Sequence, residues 1–187
     1  MKVKFKGVQG TWRDVADSAR TTIGMEEGTG DPKDSWKKKM LLAEHSPIRL
    51  MQFKWKWYDL KSWVSVHFVR HWLGIIHFVR TQRNDRTNIE LDRNKATQDT
   101  PVEHEVQANA QALINISRKR LCRLASKETR EAWQEVKAEI EVYEPVIASV
   151  MVEECIYRGF CPELECCGYD STKSYRERLE EYRSKKV

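Results

Sequence analysis

The 187-residue chain has no Gly-x-Gly-x-x-Gly, no P-loop, no Gly-x-Ser-x-Gly and no His-Glu-x-x-His. A Rossmann dehydrogenase, a P-loop NTPase, a serine hydrolase and a zincin therefore all lose their main sequence support. No run approaches the roughly 20 apolar residues of a membrane span. The opening MKVKFKGVQG lacks the apolar h-region of a secretion signal, so the expected location is the cytoplasm, with no membrane partner. Thiols stay reduced there, which argues against a disulfide framework for the five cysteines. Paired Cys-x2-Cys units are missing too: Cys155, Cys161, Cys166 and Cys167 are separated by five, four and zero residues. They read as free thiols, buried or redox-paired across Pro162, and no metal is expected. If a metal is held, these four are its candidate ligands.

What is present is the composition of a soluble globular protein, 40% hydrophobic and 33% charged, which argues against dominant disorder. The length fits a single domain over residues 1–187, with a cysteine-rich C-terminal segment at about 150–187. A formal charge of +5 favours phosphate-bearing partners, but 28 acidic residues stand against 33 basic ones. So modest an excess suits a free nucleotide at least as well as a nucleic acid polymer.

Period-two alternation predicts strands over residues 2–6 (KVKFK) and Leu50 to Tyr58 (LMQFKWKWY). Helices are expected from Thr11 or Asp14 to Ala19, from Trp36 to Ala43 and from about Lys61 to Leu73, with irregular or strand structure then running to Arg83. Residues 24–34 and 84–99 read as loops. Thr100, Pro101 and Glu103 have the pattern of a capping box and predict a helix that breaks near Arg120 to Ala125. A second helix, capped by Ser126, should run to about Tyr143 and stop at Pro145. Trp55, Trp57, Trp63 and Trp72 have spacings more typical of core than of ligand stacking. A short helix, the cysteine loop and a charged helix complete the chain.

The stretch NAQALINISRKRLCRLASKETR, Asn109 to Arg130, sets amides and arginines at fixed intervals in an apolar helical pattern. On that helix Asn109, Leu113, Ile116 and Arg120 share one broad face, and Gln111 and Asn115 form an i, i+4 pair on another. Two readings are open: amides capping backbone beside surface cations, or donors for an anionic, hydrogen-bonding ligand.

Asn109-Ala110, Asn115 and Arg120 resemble the C-terminal half of the flavin-dependent thymidylate synthases, and further pieces follow in the same order. Ala19-Arg20 resembles the family's N-terminal Ala-Arg, and His45-Ser46-Pro47 its His-x-Ser-Pro turn with one residue missing. Arg70-His71 resembles the start of the signature Arg-His-Arg-x-x-Ser-x-Asn-Glu-x-Ser-x-Arg-Tyr, and with one residue inserted Thr81-Gln82-Arg83 takes the place of its Ser-x-Arg. Ala125 and Glu128 fall where the family has Ala-Gln-x-Glu. The chain departs from the pattern in Trp72 for the signature's third residue, an arginine, Val79 for its glutamate and His67 for a glutamine. Only 25 residues separate Arg83 from Asn109, where the family has a longer helical insertion.

The resemblance implies an α/β (α+β) fold, a small and mostly antiparallel sheet with helices around it. It implies FAD held by Ser46, Arg70, His71, Asn109 and Asn115, and a uridylate-type nucleotide such as dUMP held by Thr81, Arg83 and Arg120. Arg120 would also be catalytic, polarising the pyrimidine so that C5 becomes nucleophilic. Methylene-tetrahydrofolate and NADPH would be co-substrates, and the product methylated or hydroxymethylated. The assembly implied is a homotetramer with active sites between subunits. A catalytically silent descendant that binds nucleotide or nucleic acid is the alternative. The compact, lysine-rich chain would suit a phage-encoded enzyme.

Overall fold

Alternation of apolar and polar residues decides the centre of the molecule. In the computed structural model, which describes residues 1–87 and 90–184, four strands form one antiparallel sheet in the order β1-β2-β4-β3. They are β1 (Lys2–Gln9), β2 (Gln52–Lys61), β3 (Ile75–Val79) and β4 (Pro101–Asn109). Phe53, Trp55 and Trp57 of β2 and Val102, Val106 and Ala108 of β4 are buried, as period two requires of strands with one face on a core. Between them lie Lys54, Lys56, Glu103 and Glu105, whose charges pair: Lys6 and Lys54 on Glu105, Lys56 and Arg80 on Glu103. The sheet thus buries one face and turns an ion-pair ladder outward.

The helices are α1 (Trp12–Thr21), α2 (Asp34–Leu42), α3 (Ser62–Val69), α4 (Ala110–Arg120), α5 (Lys127–Tyr143), α6 (Pro145–Val150), α7 (Glu154–Arg158) and α8 (Lys173–Arg183), with 3₁₀ turns at Ser46–Leu50 and Tyr169–Ser171. Tryptophan joins helices to sheet. Trp133 of α5 meets Trp55 edge-on at 5.7 Å, and Phe68 of α3 stacks on Trp57 at 4.6 Å. The indoles bring polar N–H groups into the core; that of Trp55 has no partner among the described residues, whereas the other two find acceptors. Trp57 donates to the Ala132 carbonyl at 3.1 Å, and Trp133 to the Ser117 hydroxyl of α4 at 2.9 Å. Trp55 and Trp57 are core as expected, Trp63 is half-buried and Trp72 lies outside at 72% exposure. Among the described residues, no helix is long and apolar enough to cross a membrane.

The expected fold class is observed, and one element is corrected. Residues 101–109 are a strand rather than the first turns of a helix opened at Thr100. The local capping pattern of Thr100, Pro101 and Glu103 is overridden because Val102, His104, Val106 and Ala108 alternate and pair between β2 and β3. The helix begins only at Ala110, where the Asn109 side chain accepts from the Ala112 N–H at 2.9 Å. Pro145 ends α5 as expected but also opens α6, sitting in its first turn where no N–H is missed.

Trp133→Ala should lower the free energy of unfolding by about 3–5 kcal/mol, read by urea denaturation. A loss below about 1 kcal/mol would mean that the indole does not bridge α5, α4 and the sheet as described.

Candidate functional site

The end of β4, the start of β3 and the end of α3 converge on the first turns of α4. Asn109 holds the junction: its N–H donates to the Gly74 carbonyl at 2.9 Å while its side chain caps α4. Gly74 has φ +72°, and a Cβ there would lie 2.5 Å from the Asn109 amide nitrogen, so glycine is required on both counts. The close approach folds residues 70–73 over α4. Between them lies a pocket of about 130 Å³ lined by Arg70, His71, Trp72, Leu73, Ala112, Asn115 and Ile116.

Arg120, further along α4, does not line the pocket but binds His71, which does. Its Nε donates to His71 Nε2 at 2.9 Å and its Nη2 to the His67 carbonyl in the last turn of α3 at 2.7 Å. A guanidinium always donates, so His71 Nε2 carries a lone pair and the neutral ring keeps its proton on Nδ1. Burial, then Arg120 and His77, push His71 down to about 4. Burial and then Arg70 pull Arg120 below its ordinary value. Among the described residues neither Arg70 nor Arg120 has a carboxylate partner. The pocket therefore sits beside two unpaired cations.

Behind His71 runs a chain of imidazoles. His77 Nε2 lies 2.7 Å from the His71 carbonyl, which only accepts, so this nitrogen donates. With the rings neutral, His104 Nε2 then donates to His77 Nδ1 at 2.9 Å, and the Ser65 hydroxyl donates to His104 Nδ1 at 3.1 Å. His104 is fully buried; burial and then His77 push it down to about 3. Each link holds the next, and the last holds the backbone of the residue that receives Arg120. His67 faces α5, where its Nδ1 meets the Thr129 hydroxyl at 2.9 Å.

Of the residues singled out from sequence, Arg70, His71 and Asn115 line one pocket, Asn109 braces it and Arg120 reaches it through His71. Ser46 is exposed at the start of a 3₁₀ turn packed near α4 and does not line it. Thr81 and Arg83 lie beyond the far end of β3, about 16 Å of strand from Gly74. Arg83 is forked on Asp85 at 3.0 and 2.6 Å, and Thr81 borders a separate cavity of about 290 Å³ with Glu103 and Thr100. One chain does not bring these two to His71. Arg20 pairs with Asp17 on α1, and Glu128 with Lys61. Sequence reasoning missed Ser65, His77 and His104; the one signal was a histidine at a core position of an alternating strand.

This four-stranded sheet with its helices is the fold of the flavin-dependent thymidylate synthases. No protein-family model and no curated protein sequence matches the chain. Solved structures do match. A UMP/dUMP methylase, PolB, from Streptomyces cacaoi, bound with 5-Br dUMP, is 11% identical with a TM-score of 0.63, over 85% of this chain and 95% of that one. Two structures of the flavin-dependent thymidylate synthase ThyX from Helicobacter pylori, both with FAD and dUMP, are 15% and 13% identical with TM-scores of 0.56 and 0.59. They cover 78% and 79% of this chain and 99% of theirs. The similarity carries the fold that the scattered motifs implied.

Both lowered histidines set a pH dependence. The unfolded chain binds their protons below the ordinary imidazole value of 6.5, whereas the folded chain stays neutral to about 4 at His71 and about 3 at His104. Stability is thus fully present above about 6.5 and is lost as pH falls toward those values, with a limiting slope of about 1.4 kcal/mol per unit for each ring. His104→Gln should flatten this slope below pH 6 when unfolding is followed by urea titration across pH 4–8. An unchanged slope would remove His104 as a source.

Proposed function

We propose that the chain is a flavin-dependent enzyme that modifies C5 of a uridylate-type nucleotide, with methylene-tetrahydrofolate as one-carbon donor, FAD as redox cofactor and NADPH as its reductant. The observation that carries this is the pocket of Arg70, His71 and Asn115 beside two cations without carboxylate partners, in a fold whose solved examples hold FAD and dUMP. A ligand with negative charge and acceptor edges suits that donor set.

The residues fit a flavin edge. Asn115 offers an amide and neutral His71 an Nδ1–H, while Leu73, Ala112 and Ile116 supply an apolar wall. When bound, the flavin carries the hydride chemistry; the chain supplies orientation and charge. Arg70 and Arg120 stabilise negative charge that builds on the ring system or the pyrimidine. Arg120 is held at Nε and Nη2, and its Nη1 has no protein acceptor among the described residues, which leaves that group for the substrate. By this reading Arg120 draws electron density through the pyrimidine so that C5 attacks the one-carbon unit. None of the five cysteines lines the pocket, in keeping with a reaction that needs no enzyme thiolate at C6.

The reading also requires a second copy. Ligand pockets usually span about 300–1,000 Å³, more than twice what one chain encloses here. Thr81, Arg83 and Ser46 would complete the site from a neighbouring subunit. Ile76 and Phe78 are exposed on the edge strand β3, and Trp72 and Leu73, exposed just before it, belong to the pocket itself. Exposed apolar residues on an edge strand and beside the pocket suit a homotetramer whose sites lie between subunits. The cytoplasm is the expected compartment.

One observation favours a second reading, a silent scaffold that binds nucleotide or nucleic acid. Trp72 and Val79, where the signature has arginine and glutamate, are both exposed and contribute no charge to the pocket.

Purified protein supplied with FAD should show the two visible bands of bound oxidised flavin and turn over dUMP with folate and NADPH. Arg120→Ala should cut turnover by about 10²–10³-fold, and Asn115→Ala should weaken FAD binding by about tenfold or more. Flavin binding without turnover in the wild type would favour the silent scaffold, and no flavin at all would remove the proposal. Light scattering should give a tetramer that Phe78→Lys dissociates; a wild-type monomer would sink the shared-site arrangement.

A further inference from the structure

All five cysteines of the chain line one small cavity, although the sequence scatters them. Cys122 comes from the link between α4 and α5, Cys155 from α7, and Cys161, Cys166 and Cys167 from the loop between α7 and α8. The cavity is small, about 10 Å³, close to the volume of a single water-sized sphere. Cys161 Sγ, Cys166 Sγ and a carboxylate oxygen of Asp170 lie within 4.8 Å of one another.

Packing does not explain these thiols. A free cysteine kept for its bulk is normally buried, whereas Cys161 is half-buried and Cys166 and Cys167 are exposed. They are also arranged as ligands. Gly168, at φ +77°, turns its N–H onto Cys166 Sγ at 3.3 Å, the type of second-layer donor that steadies a metal-bound thiolate. The Cys166 thiol points at Asp170 at 3.2 Å, its proton lying between sulfur and oxygen. The Gly168 N–H pulls Cys166 down, but Asp170 and Cys161 outweigh it and push the thiol up to about 11. Arg123, stacked on the Tyr169 ring at 3.7 Å, lines the same cavity together with Glu153, Glu154 and Glu163, so a cation there would meet a largely acidic wall.

We propose that this cavity is a structural site for Zn²⁺, centred on Cys161 and Cys166 and completed from Cys122, Cys155, Cys167 and Asp170. The Cys-x4-Cys-Cys spacing lacks the usual paired motif because the remaining ligands come from distant elements, which the fold alone assembles. On binding, each ligating thiol releases its proton to solvent and the sulfur lone pairs form the bonds to zinc, with no change of oxidation state. The metal would tie the link after α4 to the segment carrying α7 and α8. This inference is independent of the flavin reading.

The test is metal analysis of the full chain purified under reducing conditions, followed by exchange with Co²⁺. One zinc per chain is expected, with cobalt giving thiolate charge-transfer bands and the intense d–d bands of tetrahedral coordination. Cys161→Ser combined with Cys166→Ser should abolish both. If that variant does not fold, the wild type decides: EDTA should lower its melting temperature by about 5 °C or more, and Zn²⁺ should restore it. Metal at background level, no cobalt charge-transfer band or no response to EDTA and Zn²⁺ would overturn the proposal. So would full metal content in the double variant, or a Cys161–Cys166 disulfide found by peptide mapping of unreduced protein.

Discussion

The donation from Arg120 Nε to His71 Nε2 joins residues 49 apart in sequence, and the candidate site depends on it. A guanidinium taken partly out of water must replace its lost hydration with acceptors, and a carboxylate is the usual supplier. Here the acceptors are a neutral imidazole and a helix-terminal carbonyl. Both satisfy hydrogen bonds without cancelling charge, so the positive potential survives at the pocket. His71 can serve only while neutral, and its burial beside Arg120 keeps it so. The same contact sets the spacing between α3 and α4, because Arg120 also holds the His67 carbonyl at the end of α3. The Ser65–His104–His77 chain then fixes the His71 backbone from the sheet side.

Much of this fold was legible where one period rules a segment. The strands β1 and β2 and the helices α1 and α5 follow directly from the spacing of their apolar residues. The strand β4 was not, because Glu103, His104 and Glu105 blur its alternation and Thr100, Pro101 and Glu103 imitate a helix start. What identifies β4 is its pairing, with β2 on one side and β3 on the other, and such pairing is a long-range fact. At the site, Arg70, His71, Asn115 and Arg120 were legible through their motif order. The imidazole chain was not, since His77 to His104 and Ser65 to His104 are contacts across 27 and 39 residues. Cys122 was missed as a companion of the other thiols for the same reason: 32 residues, including the helices α5 and α6, lie between it and Cys155, and no spacing rule spans that.

Charge is handled in three different ways across the molecule. On the open face of the sheet, lysines and glutamates alternate across strands and remain near water, where each pair contributes little. Glu154 is only 2% exposed and lies among Arg118, Arg158 and Lys119. Burial pushes its carboxyl up, but Arg118 and Arg158 outweigh that and hold it at about 2. At the pocket, by contrast, cations are left without counterions. The first two arrangements neutralise charge within the fold; at the pocket, exposed Arg70 keeps its charge in water and part-buried Arg120 is satisfied by neutral acceptors alone.

Arg118 and Arg120 show how one short helix carries two of these roles. Two positions apart on α4, they point to different sides, since a step of two is about 200° around a helix. Arg118 is forked on Glu154 at 3.1 and 3.0 Å, with its guanidinium 3.9 Å above the Tyr157 ring, so α4 is anchored to α7 on that side. Arg120 faces α3 and the pocket. Cys122 follows at once and enters the thiol cavity. The end of α4 is thereby held from the C-terminal segment while its free cation is directed at the site, so that whatever secures residues 154–170 also secures Arg120. One end of α4 thus meets two neighbourhoods, the thiol cavity through Cys122 and the imidazole of His71 through Arg120, two residues apart.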